Sequence, residues 1–565
     1  MSLYEERPWL KNYPNGVPAN IDPDQYSNLL DFFDEKFEQF ASWPAFAYMG
    51  KTLTYRQLDQ LSRRFAAYLQ ARGLEPGDRI AIMMPNILQY PVVLYGALRA
   101  GLIIVNTNPL YTPREMLHQF TDSGAKAIVI ANMFGAKLQE ILPKTQIKVI
   151  ITASMGEMLS PLKGALVNFV VRRVKKMVPP YQLPNEVTVK RALQEGKKYQ
   201  WQRPTSGPDD TVLLQYTGGT TGVSKGAELT NRNLIANMIQ VKAWLNDLIS
   251  DKGGEVALCP LPLYHIFAFS VNAMTLFSLG VLNVLIPNPR DIKSLIKEWK
   301  KYPVSFFDGV NTLFNALIHH PDFPSIDFST LKVVVGGGMA VQKAVADKWK
   351  EITGVDLNEG YGMTEASPVV TINPLDGTGR VGSIGLPIPS TTVRIADDQD
   401  REVPIGQRGE IQVKGPQVMK GYFNRPDETA KTIRNGWLCT GDIGYMDQDG
   451  FFYIVDRKKD MILVSGFNVF PNEIEDVLAL HPKVLEVAAI GVPDEKSGEV
   501  VKVFIVKKDP SLTEKEVLDY CRANLTGYKR PKYVEFRQDL PKSNIGKILR
   551  RVLREEELQK RQTSQ

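Results

Sequence analysis

In the first part of the chain, helical apolar patterns alternate with short apolar runs, and that alternation limits the fold more than any other feature. Residues 55–69 (YRQLDQLSRRFAAYL) place apolar side chains at helical spacing, and residues 79–84 (RIAIMM) read as a strand. Residues 88–98 then read as helix, 102–105 as strand, 113–120 as helix and 127–130 as strand. Strands alternating with helices build a parallel sheet covered on both faces. A polar, proline-containing connector is expected over 179–210. After about Gly382 the character changes, and short alternating segments at 392–395, 410–413 and 451–455, separated by glycine turns, indicate a smaller β-rich part. The last hundred or so residues read as a compact α+β unit, with strands at 487–491 and 501–506 and a helix at 513–525. A chain of 565 residues exceeds what one core normally supports, so more than one domain is expected. The fold class expected is α/β, with a large domain over 1–455 and a small mobile one over 456–565, divided at Asp456.

Charge and cysteine usage exclude several classes. Lys plus Arg is 68 against 62 for Asp plus Glu, so the small net excess does not mark a nucleic-acid binder, which concentrates basic residues on one face. Cys259, Cys439 and Cys521 are far apart and odd in number, which fits a reducing compartment and no disulfide framework. The first residues are charged and proline-bearing, unlike the apolar core of a signal peptide, so a cytoplasmic protein is expected. Between Glu255 and Arg290 no charged side chain occurs. That run is long enough to cross a bilayer. However, Pro260, Pro262 and Pro287 interrupt it, and His265, Asn272 and Asn283 would need partners in lipid. A buried helix and strand walling an apolar cavity is the expectation.

The chemistry is concentrated in a few segments. Tyr216, Thr217, Gly218, Gly219, Thr220, Thr221, Gly222, Val223, Ser224, Lys225, Gly226 and Ala227 follow the apolar run 212–214. Glycines let the backbone approach an anion, and successive N–H groups form an anion-binding concavity. The hydroxyls and Lys225 add donors and charge. The spacing is not that of a Walker A loop, because no glycine immediately precedes the lysine and no Ser or Thr follows it. Further on stand EGYGMTE at 359–365, GGG at 336–338, TGD at 440–442, DRKKDMILVSG at 456–466 and PKSNIGK at 541–547.

These motifs, in this order and over nearly the whole chain, resemble the adenylate-forming superfamily of acyl-CoA synthetases, luciferases and peptide-synthetase adenylation domains. Among these the chain is most similar to bacterial long-chain fatty-acyl-CoA synthetases. The resemblance implies that ATP and a long-chain fatty acid form acyl-AMP with release of pyrophosphate, and that coenzyme A then takes the acyl group, feeding fatty-acid degradation. It further implies Tyr361 stacked on adenine beside Glu359, Gly360 and Gly337, Thr364 at the α-phosphate and Glu365 holding Mg²⁺. Asp442 would bind the ribose hydroxyls, Arg457 the nucleotide, Lys547 would be the catalytic lysine and Asp456 the hinge. Gly466 would border coenzyme A. His265, Phe269, Gly309, Val310 and Gly338 would face the acyl chain, with Asn311, Thr312, Leu313 and Phe314 in the same cavity. Two positions depart from the family pattern, Cys439 and Asn231, and altered packing alone is expected there.

Residues 165–177 (ALVNFVVRRVKKM) form a short basic amphipathic segment, with Leu166, Phe169, Val170, Val174 and Met177 on one face. It is too short to span a bilayer and suits its surface, so peripheral attachment to the inner face of the cell membrane is expected, as is a homodimer. The alternatives are a medium-chain or aryl acid as substrate, or a fatty-acid binding and uptake protein without catalysis. The last would not need Glu365, Asp442 or Lys547.

Overall fold

The computed structural model describes residues 4–217, 224–465, 467–494, 496–543 and 546–563. Gly218, Gly219, Thr220, Thr221, Gly222 and Val223 of the glycine loop, and Gly466, lie outside the described residues.

The alternating pattern forms the elements expected of it. The helix Tyr55–Ala71 starts at Thr54, whose hydroxyl accepts from the Gln57 N–H while the Gln57 side chain returns to the Thr54 N–H, satisfying donors that would otherwise have no partner. The helix Pro113–Ser123 has the same reciprocal cap from Thr112 and Glu115, and Gly124 ends it in a left-handed conformation. The strand Ala127–Ala131 is buried at every position, as an inner strand of a helix-covered parallel sheet must be.

Among the described residues, one sheet runs in the order Gly421–Tyr422, Lys225–Thr230, Thr211–Thr217, Ile103–Asn106, Arg79–Met83, Ala127–Ala131, Val149–Ala153, Val187–Thr188. It is parallel except at the hairpin Thr211–Thr217 and Lys225–Thr230 and its neighbour Gly421–Tyr422. A second sheet has a parallel centre formed by Leu282–Leu285, Val256–Cys259, Phe306–Gly309, Val333–Gly336 and Leu357–Gly362. The uncharged stretch is therefore two central strands, with the helical segments Ile266–Ser270 and Val271–Leu276 between them. The residues read as a polar connector carry an edge strand, Val187–Thr188, and the helix Val189–Gly196, whose Val189, Ala192 and Leu193 are buried. Their apolar pattern is too short to stand out from the polar residues around it.

The β-rich part is a sheet of Thr392–Ala396, Gly409–Lys414, Trp437–Met446, Ile433–Arg434 and Phe452–Arg457. The last part of the chain forms a small domain on a separate sheet, where Val484–Asp494 pairs with Gly498–Lys507. Period-two alternation gives that sheet two apolar faces. Val487, Ala489, Val501 and Val503 pack with Ile474 and Val517, while Ala488, Ile490, Val500 and Phe504 pack with Leu540 and Leu553.

Candidate active site

A cavity of about 2030 Å³ lies where the sheets of the large domain meet the small domain. The hairpin mouth delivers Thr217, Ser224 and Lys225 to it, and the strand Leu357–Gly362 with the turn after it delivers Glu359, Gly360, Tyr361, Thr364 and Glu365. Asp442, Asp456 and Arg457 come from the β-rich sheet, and Lys547 comes from the small domain. Residues far apart in sequence thus face one space.

Thr217 and Lys225 are paired across the hairpin, and both line the cavity. The hairpin's base is braced from outside. Tyr216 donates to Asp122 at 2.8 Å, Arg425 pairs with Asp122 at 2.7 Å, and the His118 ring contacts the Ser224 carbonyl at 2.8 Å. Gly226 and Ala227 continue the strand beside Gly421–Tyr422. The Lys225 ammonium pairs with Glu428 at 2.7 Å and lies 4.6 Å from the centre of the Tyr422 ring.

Glu365 is buried and accepts from the Tyr422 hydroxyl at 2.6 Å. Across the cavity, the Tyr361 hydroxyl donates to one oxygen of Asp442 at 2.6 Å and Arg457 contacts the other at 3.3 Å. Burial and that carboxylate hold the Tyr361 phenol well above its ordinary range. Burial disfavours the Arg457 charge, but Asp442 and other nearby anions outweigh it and raise its pKa. Burial pushes the Glu359 carboxyl up to about 8, while the Val341 N–H works the other way.

Lys547 reaches the cavity on the strength of a local glycine. Gly546 has φ +84°, and a Cβ there would come within 2.5 Å of Thr312 Oγ1, a contact that no other residue could make without displacing the chain. The same Thr312 donates to the Gly546 carbonyl at 3.0 Å, and Asn315 donates to the Leu485 carbonyl at 3.3 Å, docking the small domain on the large one. Burial first, and then the positive charge of Arg457, pushes the Lys547 ammonium down to about 7. His265 is held down to about 4 by burial and by Lys547, so it is neutral near pH 7.

Asp456 is the next-to-last residue of the strand Phe452–Arg457 and is almost fully buried. Its carboxylate accepts from the Arg457 and Asn472 N–H groups and pairs with Arg550 at 3.0 Å. Arg550 also pairs with Glu475 at 2.6 Å. In sequence it reads as part of a basic tail beside Lys547; in the structure it is an internal anchor.

Some sequence expectations need correction. Phe269 is fully buried and does not line the cavity; Phe267, two residues earlier, does, lying 2.9 Å from where a Gly337 Cβ would stand. Of the segment 309–312, Asn311 and Thr312 line the cavity as expected, whereas Gly309 and Val310 do not. Leu313 and Phe314 turn into the core, where Phe314 packs edge-on against Trp349. At a strand-to-helix junction, a shift of one residue decides which side chain faces the space. His265, Gly337 and Gly338 do line it. Asn231 ties the Leu29 N–H to Ser206 and Gly207, and Cys439 is a buried thiol, which is packing in both cases.

Sequence reasoning also missed Tyr422, Glu428, His118 and Asp122. No spacing motif links them to the loop; strand pairing and packing bring them there.

The AMP-binding enzyme model matches residues 33–423, and the AMP-binding enzyme C-terminal domain model matches residues 473–547. The chain belongs to the AMP-binding enzyme family. Within that family it is 57% identical over 98% of both chains to a long-chain-fatty-acid–CoA ligase of Yersinia pestis, and 38% identical over 98% of this chain and 99% of the other to a ligase of the same name from Bacillus subtilis. A feruloyl-CoA synthase of Amycolatopsis is 35% identical over 89% of this chain and 94% of its own. Among solved structures, ATP-bound MatB from Rhodopseudomonas palustris superposes with a TM-score of 0.80 at 28% identity, covering 93% of this chain and 98% of that one. Among the described residues, no helix is long and apolar enough to cross a membrane.

Proposed function

We propose that the chain joins a long-chain fatty acid to coenzyme A in two steps, feeding fatty-acid degradation. A carboxylate oxygen bonds to the α-phosphorus of ATP and pyrophosphate leaves; the coenzyme A thiolate then attacks the acyl carbon and AMP leaves. The observation that carries this reading is the meeting of Lys547 with Thr364, Glu365 and Asp442 around one cavity. The relatives' names support the substrate class, as do the apolar residues Val241, Leu245, Val271, Phe306, Val335 and Ile372 in the cavity lining. Each methylene buried there would contribute about 0.8 kcal/mol.

The difficulty in the first step is that one anion attacks another. Fixed donors in a site shielded from water offset that repulsion better than solvent does. Lys547 is proposed to bridge the carboxylate and α-phosphate, with Lys225 and the loop on the β- and γ-phosphates. Thr364 is assigned to the α-phosphate, Tyr361, Glu359, Gly360 and Gly337 to adenine, Asp442 to the ribose and Arg457 to the nucleotide. Glu365, a buried carboxylate oriented by Tyr422, fits a site for Mg²⁺, which needs only one or two carboxylates. A bound Mg²⁺ would neutralise charge developing on the phosphate oxygens. The second step needs Lys547 withdrawn, and for this the residues from 456 onward are proposed to turn as a unit about Asp456, bringing the 466 segment to coenzyme A. A pyrophosphate-release panel from acetate to oleate, with and without coenzyme A, tests the whole reading. Release peaking with long acids, and acyl-CoA formed only when coenzyme A is present, is expected; preference for acetate or an aryl acid would overturn it.

Peripheral membrane attachment is proposed through residues 161–177. Leu162, Leu166, Phe169, Val174 and Met177 are all exposed there, next to Arg172, Arg173, Lys175 and Lys176. Exposed apolar side chains with a basic fringe suit an anionic lipid surface, where each cation contributes about 1 kcal/mol. Replacing those four cations by Gln should reduce co-sedimentation with anionic vesicles and leave turnover of detergent-dispersed acid intact. Undiminished sedimentation would mean the segment is ordinary surface.

A further inference from the structure

The Lys225 ammonium already has an anionic partner within the protein. Glu428, in the first turn of the helix Pro426–Thr432, bridges two lysines with different oxygens: Oε2 meets Lys225 at 2.7 Å and Oε1 meets Lys431 at 2.9 Å. The pairing is built into the fold. Strand Gly421–Tyr422 lies antiparallel to Lys225–Thr230 with Tyr422 opposite Ala227, and the Phe423 N–H donates to the Gly226 carbonyl at 2.9 Å. That register carries the helix behind it onto the lysine. Tyr422 completes the arrangement, with its ring beneath Lys225 and its hydroxyl on Glu365.

We infer that Glu428 is an internal competitor for the triphosphate at Lys225, passing to Lys431 when phosphate takes the lysine, and so sets ATP affinity and the ease of pyrophosphate release. This deepens the reading that Lys225 holds the β- and γ-phosphates, and it rests on it. A carboxylate on that ammonium and a polyanion approaching it repel each other, so both cannot be held there without cost. Lys431 is largely exposed and already bonded to the other oxygen, so the carboxylate needs no new partner when Lys225 is taken. The Lys225–Glu428 pair is itself partly exposed. Pairs of this kind shift equilibria by about two- to fivefold, which tunes affinity without closing the site.

The test uses the whole enzyme in fatty-acid-dependent ATP–pyrophosphate exchange. Glu428→Gln should lower the KM for ATP about two- to fivefold and tighten inhibition by pyrophosphate by the same factor. Inhibition by AMP, which has no β- or γ-phosphate, should not move. Lys431→Gln should raise the KM for ATP, and this effect should vanish in the Glu428→Gln background. An ATP KM that is unchanged or raised in Glu428→Gln, or AMP inhibition moving in step with pyrophosphate inhibition, overturns the inference while leaving the activity standing. If the unsubstituted enzyme shows no acid-dependent exchange, the functional reading and this inference fall together.

Discussion

Lys225 and Lys547 line the same cavity, one from a hairpin of the large domain and the other from the small domain. Lys225 is partly exposed, with a carboxylate at 2.7 Å and an aromatic ring beneath it. Lys547 is half-buried and has no carboxylate paired with it among the described residues; desolvation, and then the positive charges of Arg457, Arg550 and Lys459, push its ammonium down to about 7. A lysine paired with a carboxylate has its charge compensated before any ligand arrives. One set amid other cations is poorly stabilised until an anion arrives, so its interaction is strongest where negative charge collects. By this contrast, the first lysine tunes binding and the second serves the chemical step.

Removing each lysine should therefore have different consequences. Lys547→Ala should lower acyl-AMP formation about 10²- to 10³-fold, the loss seen when one fixed electrostatic group leaves a shielded site. Conversion of supplied acyl-AMP to thioester should persist, because the charge problem exists only in the first step. Single-turnover assays of the two half-reactions make the comparison. Equal losses in both would mean that Lys547 only holds the domains together.

The pH profile gives a second, smaller separation. kcat/KM reports groups of the free enzyme. The Lys547 ammonium is present below about 7 and is lost as pH rises through that value, so adenylation should fall on the alkaline side, approaching tenfold per pH unit. His265, held down to about 4, is neutral throughout and cannot be the source. Glu359 at about 8 and Asp476 at about 7, both raised by burial, and Lys459, lowered by burial to about 8, titrate in the same range. Lys547→Arg separates them, since arginine stays charged: the alkaline limb should disappear even if the maximum rate is lower. A limb that survives in Lys547→Arg belongs to Lys459 or the carboxyls.

Much of this arrangement was legible in the sequence, for reasons that can be stated residue by residue. Short apolar runs such as 127–130 become buried parallel strands because burial on both faces requires apolar residues without alternation. The motif residues are legible because glycine, threonine and carboxylate at fixed spacing answer local demands, as Gly546 does beneath Thr312. Partners supplied by tertiary pairing were not legible. Glu428 lies 203 residues from Lys225, and only the register of Gly421–Tyr422 against Lys225–Thr230 joins them. Arg550 looks like a solvated tail residue until the fold buries it against Asp456 and Glu475. Phe267 and Phe269 differ by two positions in a helical turn, too fine a distinction for a pattern to make.

A narrower effect, confined to the dependence on metal, is expected at the residue that joins Lys225 to Glu365. Tyr422 supports Lys225 with its ring and orients Glu365 with its hydroxyl, at 4.6 and 2.6 Å respectively. Tyr422→Phe keeps the ring and removes the hydroxyl, so the two contributions can be separated in one variant. Glu365 is buried, and without that donor its carboxylate is free to turn. Losing a partner that orients a metal ligand costs metal affinity about tenfold at the low end. The Mg²⁺ concentration for half-maximal adenylation should therefore rise about tenfold, while pyrophosphate inhibition, read at saturating Mg²⁺, should stay near that of the parent because the ring still lies beneath Lys225. Tyr422→Leu, which removes both contributions, should change both measurements. If Tyr422→Phe leaves the Mg²⁺ dependence where it was, the hydroxyl serves packing alone and Glu365 is oriented by the backbone that carries it.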